Sequence, residues 1–207
     1  MKILLCLLLK ADNLLYTLIS RLAIRVEGGL HPKHRLMRYH DWFTQKVQPD
    51  WTVLDIGCGN GALAYDLAKR VKKVIAIDTN SGYIEQAGKK YAASNIEYVL
   101  ADACQYQPKE KICAAVLSNV LEHIDDRFKL LKGLSGLCGR LLVRVPMIDR
   151  DWLTLYKKEM GVEYRLDTTH RLEYTLDEFK REIAAAGWKL GGCDIRFGEI
   201  YAVLEKI

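Results

Sequence analysis

The chain has 207 residues, of which 50% are hydrophobic and 28% charged, with a formal net charge of +5. This composition excludes a disordered or collagen-like chain and is sufficient for one ordinary globular domain. The basic residues are scattered, which is typical of a solvated surface and argues against a nucleic-acid-binding stripe. The six cysteines show no CxxC pair and no metal-ligand spacing, so we expect reduced, buried thiols in a cytoplasmic protein and no metal site.

The first 26 residues combine an apolar run with leucines at helical spacing. The run over residues 1–9 is short for a signal peptide, is followed by Lys10 and Asp12, and is too short to span a bilayer. The leucine spacing through residue 26 predicts an amphipathic helix. We expect this helix to pack on the domain or in a homodimer contact. A helix lying on a membrane surface and a cleaved signal are the alternatives.

Strand and helix patterns alternate after residue 50. Residues 28–32 break regular structure and residues 35–47 can form a helix. Short apolar strands that alternate with helices predict a mostly parallel sheet covered on both faces. The chain contains no repeat or linker, so we expect an N-terminal helical extension over residues 1–48 and one domain over residues 49–207. The predicted strands are residues 51–56, 73–78, 96–101, 112–118 and 140–145, and the predicted helices are residues 61–70, 81–91 and 126–135.

The end of the chain departs from this alternation. Residues 176–186 show the pattern of an amphipathic helix, with Thr175 as its N-cap and Gly187 at its C-terminal end. Two strand patterns follow, separated only by Gly198 and Glu199, which predicts an antiparallel hairpin. A dinucleotide-binding dehydrogenase half would continue with parallel strands instead.

A glycine-rich turn joins the strand at residues 51–56 to the next helix. Glycines at positions 57, 59 and 61 allow the bare backbone to approach a ligand and direct helix N–H groups toward it. Their G-x-G-x-G spacing differs from the G-x-G-x-x-G of dinucleotide-binding turns. Asp55 precedes the first glycine by two residues and can meet a cationic group of a ligand. A turn without function is the alternative.

Two later strands also end in an acid. Asp78, followed by Thr79, can accept hydrogen bonds from both hydroxyls of a ribose. Asp102 and Ala103 follow the next strand. A single acid at a strand end is often a helix cap, but three at successive strand ends are harder to explain in that way.

These motifs resemble those of class I S-adenosylmethionine-dependent methyltransferases over residues 51–145. Residues 116–124 resemble the "LEH" segment that follows the fourth strand in many small-molecule members of the class. The resemblance implies an α/β fold: a three-layer, Rossmann-like, seven-stranded, mostly parallel sheet with a C-terminal antiparallel hairpin.

The resemblance also implies S-adenosylmethionine as the cofactor. It places Asp102 at the adenine amino group, with a backbone contact from Ala103. Ser118 and Asn119 would lie where the methionine part of the cofactor meets the acceptor. The predicted cofactor-binding residues are Asp55, Gly57, Cys58, Gly59, Gly61, Asp78, Thr79, Asp102, Ala103, Ser118 and Asn119.

Two segments outside this core, residues 28–40 and 146–174, are rich in titratable and aromatic residues. In this class such additions usually form the acceptor pocket and its lid, and we expect the insertion 146–174 to cover the acceptor site. Transfer to a hydroxyl group needs a base, and histidine is the natural base near neutral pH.

The candidate catalytic histidines are His170, His34 and His123. His170 is the first candidate, with Asp167 or Glu173 available to orient it, and His34 follows together with His31. His123 either covers the transfer site or hydrogen-bonds a loop. A capping or packing role is the alternative for each histidine. The spacing of His31 and His34 matches no metal motif.

The sequence therefore favours methyl transfer to a small-molecule, glycan or lipid-linked acceptor, with oxygen as the favoured accepting atom. An RNA or protein methyltransferase is the second hypothesis. Against it, the chain has no basic stripe interleaved with aromatic residues, and residues 117–120 differ from the NPPY-like tetrapeptide of many N-methyltransferases. We therefore expect no nucleic-acid partner. A cofactor-binding module without turnover, which contacts a membrane through residues 1–26, is the third hypothesis.

Overall fold

The computed structural model describes residues 1–29 and 31–207, so Leu30, in the first predicted acceptor segment, lies outside the described residues. Seven strands form a single sheet. The strands are β1 (Thr52–Ile56), β2 (Lys73–Asp78), β3 (Ile96–Leu100), β4 (Ala114–Ser118), β5 (Arg140–Pro146), β6 (Trp188–Arg196) and β7 (Glu199–Lys206).

The strand order is β3-β2-β1-β4-β5-β7-β6. Strands β1 to β5 pair in parallel, whereas β7 runs antiparallel to both β5 and β6. The predicted seven-stranded, mostly parallel sheet that ends in a hairpin is therefore confirmed.

Eight helices accompany the sheet in the described part of the chain, and a short 3₁₀ turn, Leu121–His123, follows β4. The helices are α1 (Lys2–Val26), α2 (Lys33–Met37), α3 (Tyr39–Thr44), α4 (Ala62–Ala68), α5 (Ser81–Lys90), α6 (Arg127–Leu137), α7 (Trp152–Glu159) and α8 (Leu176–Ala185).

Two apolar clusters lie on the two faces of the sheet because successive strand residues point in opposite directions. In β1, Val53 joins the cluster that contains Phe43 of α3 and Leu67 of α4. Leu54 joins the cluster that contains Leu131 of α6 and Phe179 of α8. The two clusters give the molecule its three layers.

The helix predicted over residues 35–47 is two helices, α2 and α3. Arg38 between them adopts a left-handed conformation, with φ at 47°, and its N–H donates to the His34 carbonyl. A left-handed residue ends a helix because the following residues leave the helical path. The break buries Tyr39 and Trp42 against the domain.

Local capping follows the sequence closely. The Thr175 hydroxyl accepts from Glu178 N–H, and the Glu178 carboxylate accepts from Thr175 N–H, so the predicted N-cap of α8 is a complete capping box. The insertion 146–174 contains α7, which the sequence did not predict. Its N-cap Asp151 accepts from Thr154 N–H at 2.7 Å.

The six cysteines are free, as expected, but they are less buried than predicted. Cys58 and Cys138 are buried, whereas Cys193 is exposed. Cys193 lies in β6, which forms the edge of the sheet and therefore has a neighbouring strand on one side only.

Helix α1 is continuous over 25 residues, so the predicted N-terminal helix is present. The apolar run over residues 1–9 is by itself too short to span a bilayer. The whole helix is long and apolar enough to cross a membrane, by length and composition. Leu9 is the one buried residue of α1. The helix contacts the rest of the chain at few points: the Lys157 ammonium holds Asp12 at 2.6 Å and Asn13 at 2.7 Å, and most of the helix is exposed. The expected packing on the domain is therefore limited, and the alternative, a homodimer contact, stays a prediction.

Candidate active site

The carboxyl ends of β1 and β4 meet at one edge of the sheet, where the glycine turn follows β1. Asp55 of β1 lies opposite Ala76 of β2 and Val116 of β4. The Cys58 N–H donates to the Ile77 carbonyl at 3.0 Å and anchors the turn to β2. Open α/β sheets bind ligands in the crevice outside these strand ends. The turn therefore lies where this fold takes a ligand.

The three glycines of the turn have positive φ angles, 64° at Gly57, 53° at Gly59 and 83° at Gly61. A Cβ at Gly57 would lie 2.8 Å from a methyl carbon of Val120, and a Cβ at Gly61 would lie 2.7 Å from that of Ala87. A Cβ at Gly59 would meet no atom within 4 Å. Two glycines are therefore required by packing, whereas Gly59 faces open space.

A cleft opens between this turn and the α2–α3 segment. The segment 28–40, predicted as part of the acceptor region, supplies His34, Tyr39 and His40. Asn60, Ala62 and Leu63 are additions that the sequence reasoning missed, although they lie within or directly after the glycine motif. The lining residues are His34, Tyr39, His40, Asp55, Gly57, Cys58, Gly59, Asn60, Ala62, Leu63 and Ser118.

Asp55 is the chemically most unusual residue of the cleft. Its side chain is 1% exposed, and its Oδ2 atom has no hydrogen-bond partner in the described part of the chain. Burial, reinforced by the negative charge of Asp78, raises the pKa of Asp55 to about 7. A buried carboxylate without a partner is costly, so a cationic ligand group that reached it would be bound favourably.

Asp78 and Asp102 each hold backbone N–H groups. Asp78 accepts from Gly59 N–H at 2.9 Å and from Asn80 N–H at 2.8 Å, and Asp102 accepts from Cys104 N–H at 2.8 Å. Asp78 and Asp102 therefore do act as local caps of backbone N–H groups, contrary to the expectation that three strand-end acids are hard to explain in that way. Their cofactor contacts stay predictions, and neither residue lines the cleft.

The remaining predicted cofactor residues lie around the cleft without lining it. Thr79 is exposed beside Asp78, and Ala103 is half-buried beside Asp102. Gly61 forms the N-cap of α4 and packs against neighbouring side chains rather than the open space.

The end of β4 brings two polar residues to the same strand edge. The Ser118 hydroxyl lies 3.3 Å from Nη1 of Arg144. Asn119 has a positive φ of 57°, and its buried Oδ1 atom has no partner in the described part of the chain. Asparagine tolerates this conformation better than most residues, and such strain occurs often at functional sites.

Arg144 is a site residue that the sequence reasoning missed. It is 3% exposed, it donates to Glu199, and its guanidinium lies 3.8 Å from the centre of the Tyr39 ring. The signal was available, since an arginine within an apolar strand needs a buried partner. The position of that partner depends on the antiparallel register of β5 and β7.

His34 is the candidate catalytic histidine that lines the cleft. Its Nδ1 atom shares a hydrogen bond of 2.6 Å with the Tyr39 hydroxyl. Burial lowers its pKa to about 4, and the nearby charges of His40, Lys33 and Arg144 act in the same direction. The ring is therefore neutral at pH 7, and the lowered pKa makes it a weaker base than a free imidazole.

His170 and His123 lie together but do not line the cleft. Their ring centres are 4.8 Å apart. The Glu173 carboxylate lies 3.0 Å from Nδ1 of His170. Of the two groups expected to orient His170, Asp167 and Glu173, the structure thus places Glu173 against the ring. The remaining histidine of the predicted acceptor segment, His31, shares a hydrogen bond of 2.8 Å with the Ser20 hydroxyl of α1.

A second cavity, of about 400 Å³, lies between α1 and the insertion 146–174. Tyr16 and Thr17 line it from the helix, and Arg150, Trp152 and Tyr164 line it from the insertion. It shares no lining residue with the cleft at the glycine turn.

The sequence of the central region matches a known family. Residues 53–138 match the model of a methyltransferase domain family. A ribosomal protein L11 methyltransferase of Paraburkholderia xenovorans is 33% identical over 137 residues, which cover 61% of this chain and 45% of the relative. The chain thus spans less than half the length of the curated relatives that it matches first.

Two solved structures with bound S-adenosylhomocysteine show the same fold. The magnesium protoporphyrin IX methyltransferase of Synechocystis has a TM-score of 0.65 and 18% identity, over 84% of this chain and 83% of that one. The N-methyltransferase NodS of Bradyrhizobium japonicum has a TM-score of 0.63 and 15% identity, over 82% of this chain and 86% of that one. The central region, residues 53–138, is therefore similar to a methyltransferase domain family, and the chain shares the fold of these two S-adenosylhomocysteine-bound methyltransferases.

Proposed function

We infer that the chain transfers a methyl group from S-adenosylmethionine to a small-molecule, glycan or lipid-linked acceptor, with oxygen as the favoured accepting atom. The observation that carries this inference is the cleft at the glycine turn. It combines an unpaired buried carboxylate at Asp55, bare backbone at Gly59 and a neutral histidine, His34.

The residues of the cleft fit the cofactor. Bound S-adenosylmethionine supplies an electrophilic methyl group on its sulfonium, and it carries an ammonium group that an acid can hold. Asp55 offers a carboxylate oxygen that no group in the described chain occupies, and Gly59 leaves room where any side chain would project into the cleft. Asp78 and Asp102 are the proposed partners of the ribose and the adenine.

The chain itself would position the acceptor, exclude water from the cleft and supply a base. Ser118 lies at the end of β4 and lines the cleft together with His34. We propose His34 as the base that accepts a proton from an acceptor hydroxyl, since it is the candidate histidine that lines the cleft and its ring is neutral. His170 would serve only if the acceptor reached beyond the cleft.

The acceptor region is proposed to lie between the N-terminal extension, residues 1–48, and the insertion 146–174 of the domain 49–207. We propose that the cavity of about 400 Å³ between α1 and the insertion holds the part of the acceptor remote from the reacting hydroxyl, since it shares no lining residue with the cleft. Helix α1 is apolar and largely exposed, which favours a cytoplasmic, membrane-associated protein with a lipid-linked acceptor.

A protein acceptor is the second candidate, and the match to a ribosomal protein L11 methyltransferase favours it. The match covers less than half of that relative. To recognise a protein, this chain would therefore have to use segments that the relative does not share with it. Transfer of radiolabelled methyl groups to a ribosome-free lipid extract or to a delipidated protein fraction distinguishes the two candidates.

The cofactor half of the proposal is tested by calorimetry with S-adenosylhomocysteine. The wild-type chain should bind it, and Gly59→Arg should abolish binding because the side chain fills the open side of the turn. Gly133→Arg is the matched control, since Gly133 is exposed in α6 and a Cβ there meets no atom within 4 Å. The proposal fails if the wild type does not bind, or if Gly59→Arg binds as the wild type does.

A further inference from the structure

A cluster of three potential metal ligands lies outside the cleft, in the 3₁₀ turn after β4 and in the loop before α8. Glu122, His123 and His170 each offer a ligand atom, and these atoms lie within 4.8 Å of one another. The Arg171 N–H donates to the Glu122 carbonyl at 2.6 Å and holds the two segments together. The sequence did not predict this group, because its members come from distant parts of the chain.

The Glu122 side chain is the strongest sign that the group takes a ligand. It is fully buried, at 0% exposure, and neither carboxylate oxygen has a hydrogen-bond partner in the described part of the chain. Buried carboxylates in native proteins are almost always paired, hydrogen-bonded or bound to a metal. The carboxylate of Glu122 is neither paired nor hydrogen-bonded, although two imidazole rings lie close to it.

The hydrogen bonds of His170 determine which nitrogen is free. Its Nδ1 atom lies 3.0 Å from the Glu173 carboxylate, which also accepts from Leu166 N–H at 2.6 Å and pairs with Arg150. A carboxylate held in this way is an acceptor, so Nδ1 of His170 carries the proton. The lone pair of the ring is therefore on Nε2.

His123 is fixed in the same tautomer by a different group. Its Nδ1 atom lies 3.0 Å from the Thr169 hydroxyl, and that hydroxyl donates its proton to Asp167 at 2.8 Å. The hydroxyl oxygen must therefore accept from Nδ1 of His123, which leaves the lone pair on Nε2. Outer-shell partners orient metal-binding histidines in just this manner.

We propose that Glu122, His123 and His170 bind one divalent transition-metal ion, with Zn²⁺ as the reference ion. Two imidazoles and one carboxylate suit Zn²⁺, Co²⁺, Mn²⁺ or Fe²⁺, and three protein ligands leave a coordination position for water. Ligand atoms about 2.1 Å from a tetrahedral metal lie about 3.4 Å apart, so the ligand atoms, which lie within 4.8 Å of one another, must close by at most about 1.4 Å. His123 is exposed, so its ring is free to make this movement and the ion has a path from solvent.

The proposal is independent of methyl transfer. Glu122, His123 and His170 do not line the cleft at the glycine turn, so S-adenosylhomocysteine binding should not require the metal. A chain that binds S-adenosylhomocysteine but no metal would overturn this inference and leave the proposed function intact. A chain that binds the metal but no S-adenosylhomocysteine would overturn the proposed function and leave this inference intact.

The test is a titration of the chelator-treated full chain with Zn²⁺ by calorimetry and with Co²⁺ by visible absorption. We expect one ion per chain and a Co²⁺ spectrum without thiolate charge transfer, which excludes the free cysteines. His123→Ala removes an exposed ligand, and Glu122→Gln replaces the carboxylate by a group of equal shape. Each should weaken binding at least tenfold while S-adenosylhomocysteine affinity stays within twofold of the wild type.

Two further variants make the result decisive. Glu173→Gln changes the positioning residue of His170 and should weaken Zn²⁺ binding about tenfold. His31→Gln is the control, since His31 pairs with Ser20 and lies outside the group. Absence of binding by the wild type, or equal binding by the wild type and by both His123→Ala and Glu122→Gln, would overturn the proposal.

Discussion

Glu199, the first residue of β7, accepts two hydrogen bonds from the guanidinium of Arg144 in β5, and both side chains are buried. The antiparallel register places Glu199 opposite Pro146, two residues beyond the arginine. The same guanidinium reaches Ser118 and lies over the Tyr39 ring. The closing hairpin therefore supports the cleft as well as completing the sheet.

Glu199→Ala should destabilise the fold strongly, because it leaves a buried guanidinium without its charge partner. The expected loss in the free energy of unfolding is about 3–5 kcal/mol, measured by urea denaturation. Glu85→Ala is the control, since Glu85 pairs with Lys89 on the exposed face of α5 and should cost at most about 0.5 kcal/mol. Equal losses for the two variants would show that the buried pair does not hold the hairpin to the sheet.

Two glycines of the turn should separate folding from ligand binding. Gly57→Ala places a Cβ 2.8 Å from Val120 in a left-handed conformation, so it should lower stability by well over the roughly 1–2 kcal/mol that the conformation alone costs. Gly59→Ala meets no atom within 4 Å, so it should cost about 1–2 kcal/mol in stability and yet weaken S-adenosylhomocysteine binding at least tenfold. Thermal unfolding and calorimetry on both variants check this. A Gly59→Ala variant with normal affinity would contradict it.

The pKa of Asp55 should make ligand affinity depend on pH. Burial raises this pKa to about 7, so the carboxyl is mostly protonated at pH 6 and mostly ionised at pH 8. A ligand ammonium favours the ionised form, so S-adenosylhomocysteine affinity should rise about tenfold from pH 6 to pH 8. Calorimetry in buffers of different ionisation enthalpy should show proton release on binding. Asp55→Asn should bind weakly without this pH dependence.

The same shift has the opposite effect on the stability of the ligand-free chain. A raised carboxyl pKa means that the folded state binds more protons than the unfolded state between the ordinary value of 3.8 and about 7. The contribution of Asp55 to stability is therefore fully present below pH 3.8 and is lost progressively as the pH rises from 3.8 to about 7. The difference in stability between Asp55→Asn and the wild type should grow in favour of the variant over this range. A constant difference would mean that Asp55 titrates normally.

The elements of this fold could be predicted because each is encoded by adjacent residues. Near-continuous apolar runs marked the buried strands, and Thr175 marked the start of α8 as its N-cap. One helix was predicted over residues 35–47, whereas the structure has two, α2 and α3. They are separated by the left-handed conformation of Arg38, which the hydrophobic periodicity does not indicate.

The candidate site was only partly predictable for a related reason. The glycine turn and Asp55 are contiguous in sequence, so their chemistry could be interpreted directly. Arg144 meets Glu199 only through strand register, and His170 meets His123 only through a loop that returns to β4. Such contacts join distant segments, and the sequence of one chain does not specify them.

The neutral state of His34 can be measured directly. Burial lowers its pKa to about 4, and the positive charge of Lys33 lowers it further. NMR titration should find the ring neutral down to about pH 5, and Lys33→Ala should move its pKa upward because one repelling charge is gone. Lys46→Ala is the control, since Lys46 follows α3 and is not among the charges that lower the pKa of His34. A midpoint near 6.5 in the wild-type chain would contradict the lowering of this pKa by burial and by the neighbouring positive charges.

The exposed face of α1 should bind lipid bilayers. Leu15 and Leu22 lie seven residues apart, so they share one face of the helix, and each side chain is 57% exposed. Burying these leucines in a bilayer would contribute about 1.5–3 kcal/mol for each side chain, and Arg21 and Arg25 favour anionic lipids. In liposome flotation with anionic vesicles, the wild type should float with the lipid, and Leu15→Glu/Leu22→Glu should remain in the soluble fraction.

The control for this experiment adds the same charge elsewhere. Phe128→Glu/Ile195→Glu changes two residues that are 51% and 53% exposed on α6 and β6, so it should float as the wild type does. If both double variants lose flotation, the added charge rather than the helix face is responsible. If neither does, α1 is not the membrane-binding element, and the exposed leucines need a different partner such as a second copy of the chain.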